Sequence, residues 1–367
     1  MRKSGIYSGL LVLALVSVLS VSALVIAAGG TTVYTRLTRT VDGDPGDWIG
    51  AFPRENSWQV SNGEGIWEDG RGDDRGPGTY IYPTGTHDGL KQELGYAPKI
   101  YTEGSVDLTE FRICADDQYL YVLFRLRNMG LNIVATQWGA EKYGFGRQLI
   151  QVAIDTDRVS GSGRTDLVEE TYHANAKLSA DAAWEWLICI DGYTPMVYST
   201  TQGFDLELIG GKLRANASND TIEVAVPLST IGDPTGKTWR FTVSVGGYDE
   251  GHYRQVWNTT LAENDGWPPY FRFMGGEGRD PPNAGLDPNI MDIAFTISTT
   301  QQQSILSEYK TTGAIVEIDA YQDITFGLPS SPPLLTVETG TIAVSLVVIA
   351  VLAYYLWKAR SAPVKTR

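Results

Sequence analysis

Two groups of aspartates carry the spacing that could do chemistry. Asp73 and Asp74 are adjacent within Trp67–Thr84 (WEDGRGDDRGPGTYIYPT), a stretch turned by Gly72, Gly76, Gly78 and Pro77. Adjacent carboxylates repel, so a fold keeps them together for water, a cation or a ring of donors. Asp155 and Asp157 end a strand-like run on alternate positions, and Asp166 closes a Gly-rich loop nine residues after Asp157. Hard oxygen ligands converging from one loop suit calcium, which makes calcium the expected cofactor. Asp42, Asp44 and Asp47 offer a further set. None of these spacings is an EF-hand. The competing reading is that the aspartates cap turns through backbone N–H groups.

Aromatic side chains form the second candidate. Tryptophan faces stack on the apolar side of a pyranose while nearby polar groups bond its hydroxyls. Trp138, in Gln137-Trp138-Gly139, and Trp267, beside Pro268-Pro269, are the loop candidates for such a sugar face, with Trp67 and Trp257 next. Trp184 and Trp186 share a face if that run is extended, which points to core. Many acids are present, but no recognisable catalytic segment singles out a pair for glycoside hydrolysis. No Gly-x-Ser-x-Gly elbow supports Ser-His-Asp chemistry. His87, His173 and His252 are scattered, so neither zinc nor haem has a ligand set, and no haem or nucleotide cofactor is expected.

Short strands must position these residues. Phe111–Leu126 reads as two β-rich runs around an Asp-Asp-Gln turn. Residues 148–155, 185–190, 206–209, 213–216, 221–226 and 239–245 are similar, and Ile315–Ile318 reads as a last strand. Short turns are expected over 179–184 and 227–231, and linker character over 298–307. This pattern predicts an all-β fold, an antiparallel β-sandwich with long loops over residues 31–321. Residues 322–339 read as a stalk leading to an apolar transmembrane helix over 340–357 and a basic cytoplasmic tail over 358–367. Residues 1–28 form a signal helix, cleaved or kept as an anchor. The expected location is therefore a cell membrane, single-pass, with the bulk of the chain outside.

Charge agrees with that location. The chain holds 43 acidic and 29 basic residues, a net charge of −14. Such a surface excludes nucleic acid as a partner and favours cations or neutral polymers. Cys114 and Cys189 are the two cysteines, open to one disulfide or two buried thiols. Asn216, Asn219 and Asn258 begin sequons suited to an exported domain.

With these residues in view, the chain resembles the C-terminal binding module of glucodextranase, a module also found at the ends of archaeal amylopullulanases. Glu68-Asp69, Gly72-Asp73-Asp74 through Pro83-Thr84, and Val106–Phe111 carry the likeness. So do Ile154–Asp157 with Gly163–Asp166, Ala183-Trp184, Gly192-Tyr193, Gly246–Asp249 and Asp287–Asp292. Asp42–Trp48 is similar to the opening of family 9 carbohydrate-binding modules and their DOMON-like relatives. Gly70 departs from the family, which usually has proline there. The resemblance implies a non-catalytic β-sandwich on a prokaryotic, archaeal, cell surface that binds an α-glucan or envelope polysaccharide. The alternative is a structural envelope component that docks S-layer subunits or a secreted glycosidase.

Overall fold

The computed structural model describes residues 32–86, 88, 91, 95–96, 99–130, 142–167, 174–249, 251–258, 272–277 and 285–328. The expected signal and transmembrane segments lie outside them. Among the described residues no helix is long and apolar enough to cross a membrane.

The strands in chain order are β1 (Val33–Tyr34), β2 (Ser57–Ser61), β3 (Glu64–Glu68), β4 (Leu108–Ala115), β5 (Tyr119–Leu126) and β6 (Gln148–Asp155). Then come β7 (Ala176–Leu178), β8 (Trp186–Ile190), β9 (Met196–Ser199), β10 (Gly203–Asp205), β11 (Lys212–Asn216), β12 (Thr221–Pro227) and β13 (Thr238–Asp249). The last are β14 (His252–Tyr253), β15 (Val256–Trp257), β16 (Phe273–Met274), β17 (Asp292–Ile293), β18 (Val316–Ile318) and β19 (Gln322–Gly327). Among the described residues there are also three short α-helices, α1 (Leu228–Ile231), α2 (Thr299–Leu306) and α3 (Tyr309–Thr312).

One sheet runs β11-β12-β5-β4-β3-β2, all antiparallel. The other runs β1-β19-β13-β6-β8-β9-β10, with β14 and β17 also paired to β13. Phe111, Ile113, Val122, Phe124 and Ile222 of the first sheet pack in one core with Ile150, Val152, Phe241 and Val243 of the second. Alternation along each strand delivers these residues to one face. The result is the expected β-sandwich.

The larger sheet is apolar on its other face as well. Leu149, Ala153 and Leu187 build a second core with Trp184, Leu306 of α2 and Ile318. That second layer accounts for several departures from the sequence reading. Residues 298–307, expected to be linker, hold α2, because the Ser298 side chain accepts from Gln301 N and Gln302 and Leu306 are buried one turn apart. The stalk does not begin at residue 322: β19 buries Ile324 and Phe326 against β13 and ends the compact unit at Gly327. Residues 206–209 form a turn rather than a strand, capped by Asp205 Oδ1 accepting from Glu207 N and Leu208 N. Trp184 and Trp186 do not share a face. Trp184 packs in the second core and Trp186 against the first, since the chain bends before β8 begins.

Cys114 of β4 and Cys189 of β8 are buried thiols in different sheets, and no disulfide joins them.

Candidate functional site

At one end of the sandwich the strand termini bring together five buried aspartates. Asp69 follows β3 and Asp107 precedes β4, the two strands being paired from Glu68↔Glu110 to Gly65↔Ile113. A register irregularity between Leu108 and Glu110 bends β4 where it reaches the group. Asp73 and Asp74 lie in the glycine-turned loop after Asp69. Asp292 comes from β17, on the opposite sheet through Val245↔Asp292.

The loop is fastened from several sides. Gly76 N donates to Met291 O (2.9 Å), the Tyr80 hydroxyl to Pro288 O (2.5 Å), and Gln302 Nε2 of α2 to Asp73 O (2.7 Å). Gly70 approaches closely: a Cβ there would stand 2.6 Å from Asp73 Oδ2.

One oxygen on each of four aspartates is already bonded. Trp67 Nε1 donates to Asp69 Oδ1 (3.0 Å), Gly72 N to Asp107 Oδ2 (2.8 Å) and Leu108 N to Asp292 Oδ2 (2.7 Å). The Tyr82 hydroxyl donates to Asp74 Oδ2. The second oxygens, Asp69 Oδ2, Asp74 Oδ1, Asp107 Oδ1 and Asp292 Oδ1, have no protein donor, and neither oxygen of Asp73 has one. Asp73, Asp74, Asp107 and Asp292 are each 0 % exposed. Asp73, Asp107 and Asp292 each place an oxygen within 4.8 Å of the others.

Burial and mutual repulsion make this a costly arrangement for the bare protein. Burial, then the Asp74 charge, pushes Asp73 up to about 7, and burial with the Asp74 charge does the same for Asp107. Asp69 and Asp292 are raised well above the usual carboxylate range by burial and by Asp73. Arg127 lies 3.4 Å from Asp107 Oδ2, yet its side chain is 42 % exposed and its charge is shared with solvent.

The other expected sites resolve differently. Asp155, Asp157 and Glu185 form a second acidic group, which Asp166 does not join. Asp166 instead forms an ion pair with Arg164. Asp155 Oδ1 accepts from Asp157 N and Arg158 N, Asp157 Oδ1 from Val159 N, and Asp157 Oδ2 from Ser162 Oγ. These are turn caps. Asp42 Oδ1, Asp44 Oδ1 and Asp47 Oδ2 likewise accept from Asp44 N, Gly46 N and Thr40 N. Their loop is held on Glu223, which accepts from Trp48 Nε1 and from the backbone of Asp42 and Gly43.

Of the expected sugar-stacking residues, Trp67 is core: it is 3 % exposed and meets Phe295 edge-on at 5.4 Å. Trp257 is half-buried, with the Arg272 guanidinium 4.4 Å over its ring. Trp138 and Trp267 lie outside the described residues. Asn216 and Asn219 are half-buried in the β11–β12 turn, where Asn219 Nδ2 donates to Gly43 O (3.2 Å). Asn258 is half-buried beside β15.

Sequence reasoning found Asp73 and Asp74 through their adjacency but missed Asp69, Asp107 and Asp292 as partners. The available signal was an aspartate inside an apolar run, as in Ile290-Met291-Asp292-Ile293-Ala294.

Comparison with known proteins adds a family. The profile of the family described as the C-terminal binding-module, SLH-like, of glucodextranase matches residues 66–318. That span contains all five aspartates. A solved family 9 carbohydrate-binding module from Caldicellulosiruptor kristjanssonii, in complex with cellotriose, is similar at 14 % identity. The likeness covers 69 % of this chain and 97 % of that one, with a TM-score of 0.27. No curated protein matches the chain.

Proposed function

The chain belongs to the family of C-terminal binding modules of glucodextranase, and from that premise we propose that it is a non-catalytic carbohydrate-binding module. The family match over residues 66–318 is the observation that carries this reading. Polysaccharide of the α-glucan or envelope class is the proposed ligand. The apolar segments at residues 6–28 and 340–357 motivate tethering at a cell surface, with the sandwich outside. Retention of the detergent-solubilised full chain on starch, pullulan or dextran gels, together with a glycan array, tests the reading. Binding to at least one polymer is expected; no retention on any of them sinks it.

The family description also supports a second reading, because it calls the module SLH-like. On that reading the chain is an envelope component that docks other surface proteins. Co-purification from detergent extracts separates the two: constant partners without sugar binding favour docking.

A further inference from the structure

We propose that Asp73, Asp107 and Asp292, supported by Asp69 and Asp74, hold one divalent cation, calcium by its chemistry, which fastens the two sheets together at this end of the sandwich. The inference stands on the described geometry and is independent of what the module binds.

Among the described residues nine buried carboxylate oxygens have no hydrogen-bond partner, and six of them belong to this one group of five side chains. A buried carboxylate oxygen ordinarily finds a hydrogen-bond partner, because leaving it bare costs on the order of 1–3 kcal/mol or more. Glu64, equally buried, has such partners in Arg39 at 2.6 Å and Arg112 at 2.8 Å. Here the protein donors stop at one oxygen on each of four aspartates and reach neither oxygen of Asp73, so the remaining oxygens are left for something else.

The spacing fits that occupant. Ligand oxygens on opposite sides of a calcium ion, each about 2.3–2.6 Å away, stand roughly 4.6–5.2 Å apart. Asp73, Asp107 and Asp292 each supply an oxygen within 4.8 Å of the others. Calcium accepts about 6–8 oxygens in irregular geometry, whereas magnesium demands a tighter octahedron and keeps several waters. Zinc favours nitrogen and sulfur, and neither a histidine nor a cysteine belongs to this group.

The topology shows what the ion would do. Asp69 and Asp107 end strands of the six-stranded sheet, while Asp292 belongs to the sheet opposite. Asp73 comes from the loop that α2 grips through Gln302. One cation therefore joins both sheets, the glycine-turned loop and, through it, the helix.

The test is equilibrium dialysis of the EDTA-stripped full chain against calcium, with terbium emission excited through tryptophan as a second readout. Trp67 Nε1 lies 3.0 Å from Asp69 Oδ1, so terbium bound here is sensitised. One calcium per chain is expected, displacing terbium, and Asp73→Asn should weaken binding about 100-fold. Asp292→Asn should abolish the rise in Tm on adding calcium while raising Tm in EDTA, because it removes a repelling charge. Glu185→Gln should leave calcium binding unchanged. The proposal is overturned if the natural chain binds no calcium, or if Asp73→Asn and Asp292→Asn bind it as tightly as the natural chain does. Should either variant fail to fold, stoichiometry and terbium emission on the natural chain still decide.

Discussion

The paired strands β3 and β4 carry buried carboxylates at both ends, and the two ends solve the same problem differently. At one end Glu64 is wholly buried between Arg39 and Arg112, and Arg112 also pairs with Glu110. The protein's own guanidinium groups neutralise the acids, and backbone N–H groups of Ile49 and Gly50 complete the bonding of Glu64. At the other end Asp69 and Asp107 meet Asp73, Asp74 and Asp292 with no buried arginine among them. At the first end the acids meet charges of the chain's own; at the second the proposed cation supplies the charge that the chain does not. What separates structural acids from ligand acids here is whether the chain has spent its donors on them.

Removing a partner at the complete end has the largest effect. Glu64→Gln strands two buried arginines and should cost about 3–5 kcal/mol, or roughly 10 °C in Tm. The loss should be the same with calcium and with EDTA. A loss that appears in only one of those conditions would couple the two ends and break the contrast.

Calcium at the second end comes next. Saturation at about a hundredfold above Kd stabilises by about 2.7 kcal/mol, so EDTA should lower Tm by about 5–10 °C. The size of that gap depends on pH. Without the ion, Asp73 and Asp107 titrate near 7 in the folded chain, so the fold retains protons that the unfolded chain has released. Their contribution to stability therefore declines as pH rises from the ordinary carboxylate range through about 7. With the ion bound they stay ionised and that decline disappears. Melting curves should show the gap between calcium and EDTA widening from about pH 5 to about pH 8; a gap that is constant or narrows contradicts the contrast.

The smallest effect belongs to the rim. Asp157→Asn keeps an oxygen for the turn cap at an exposed position while removing its charge, and should change stability by about 0.5 kcal/mol or less. The calcium-induced shift should be unaltered, which sharpens the distinction between acids that cap turns and acids that bind.

The sandwich was largely legible in the sequence because alternation along β4, β5, β6, β12 and β13 writes the shared core directly. The second layer was not. Gln302 and Leu306 of α2 bury against a sheet face whose outward residues, such as Leu149 and Leu187, carry no mark of which side they cover. Residues 322–327 looked like the start of a stalk because they are half polar, yet Ile324 and Phe326 alternate inward.

The site was legible by half. Adjacency exposed Asp73 and Asp74, but the partners Asp107 and Asp292 are 34 and 219 positions beyond Asp73 and meet it only through sheet pairing. The tidier sequence spacing of Asp155, Asp157 and Asp166 brought Asp155 and Asp157 together with Glu185, while Asp166 pairs with Arg164.

Diffraction from crystals of the chain grown with calcium, with the ion located by its anomalous signal, tests the central claim most directly. The account predicts a peak bounded by oxygens of Asp73, Asp107 and Asp292. No peak there, or one confined to Asp155, Asp157 and Glu185, would contradict it.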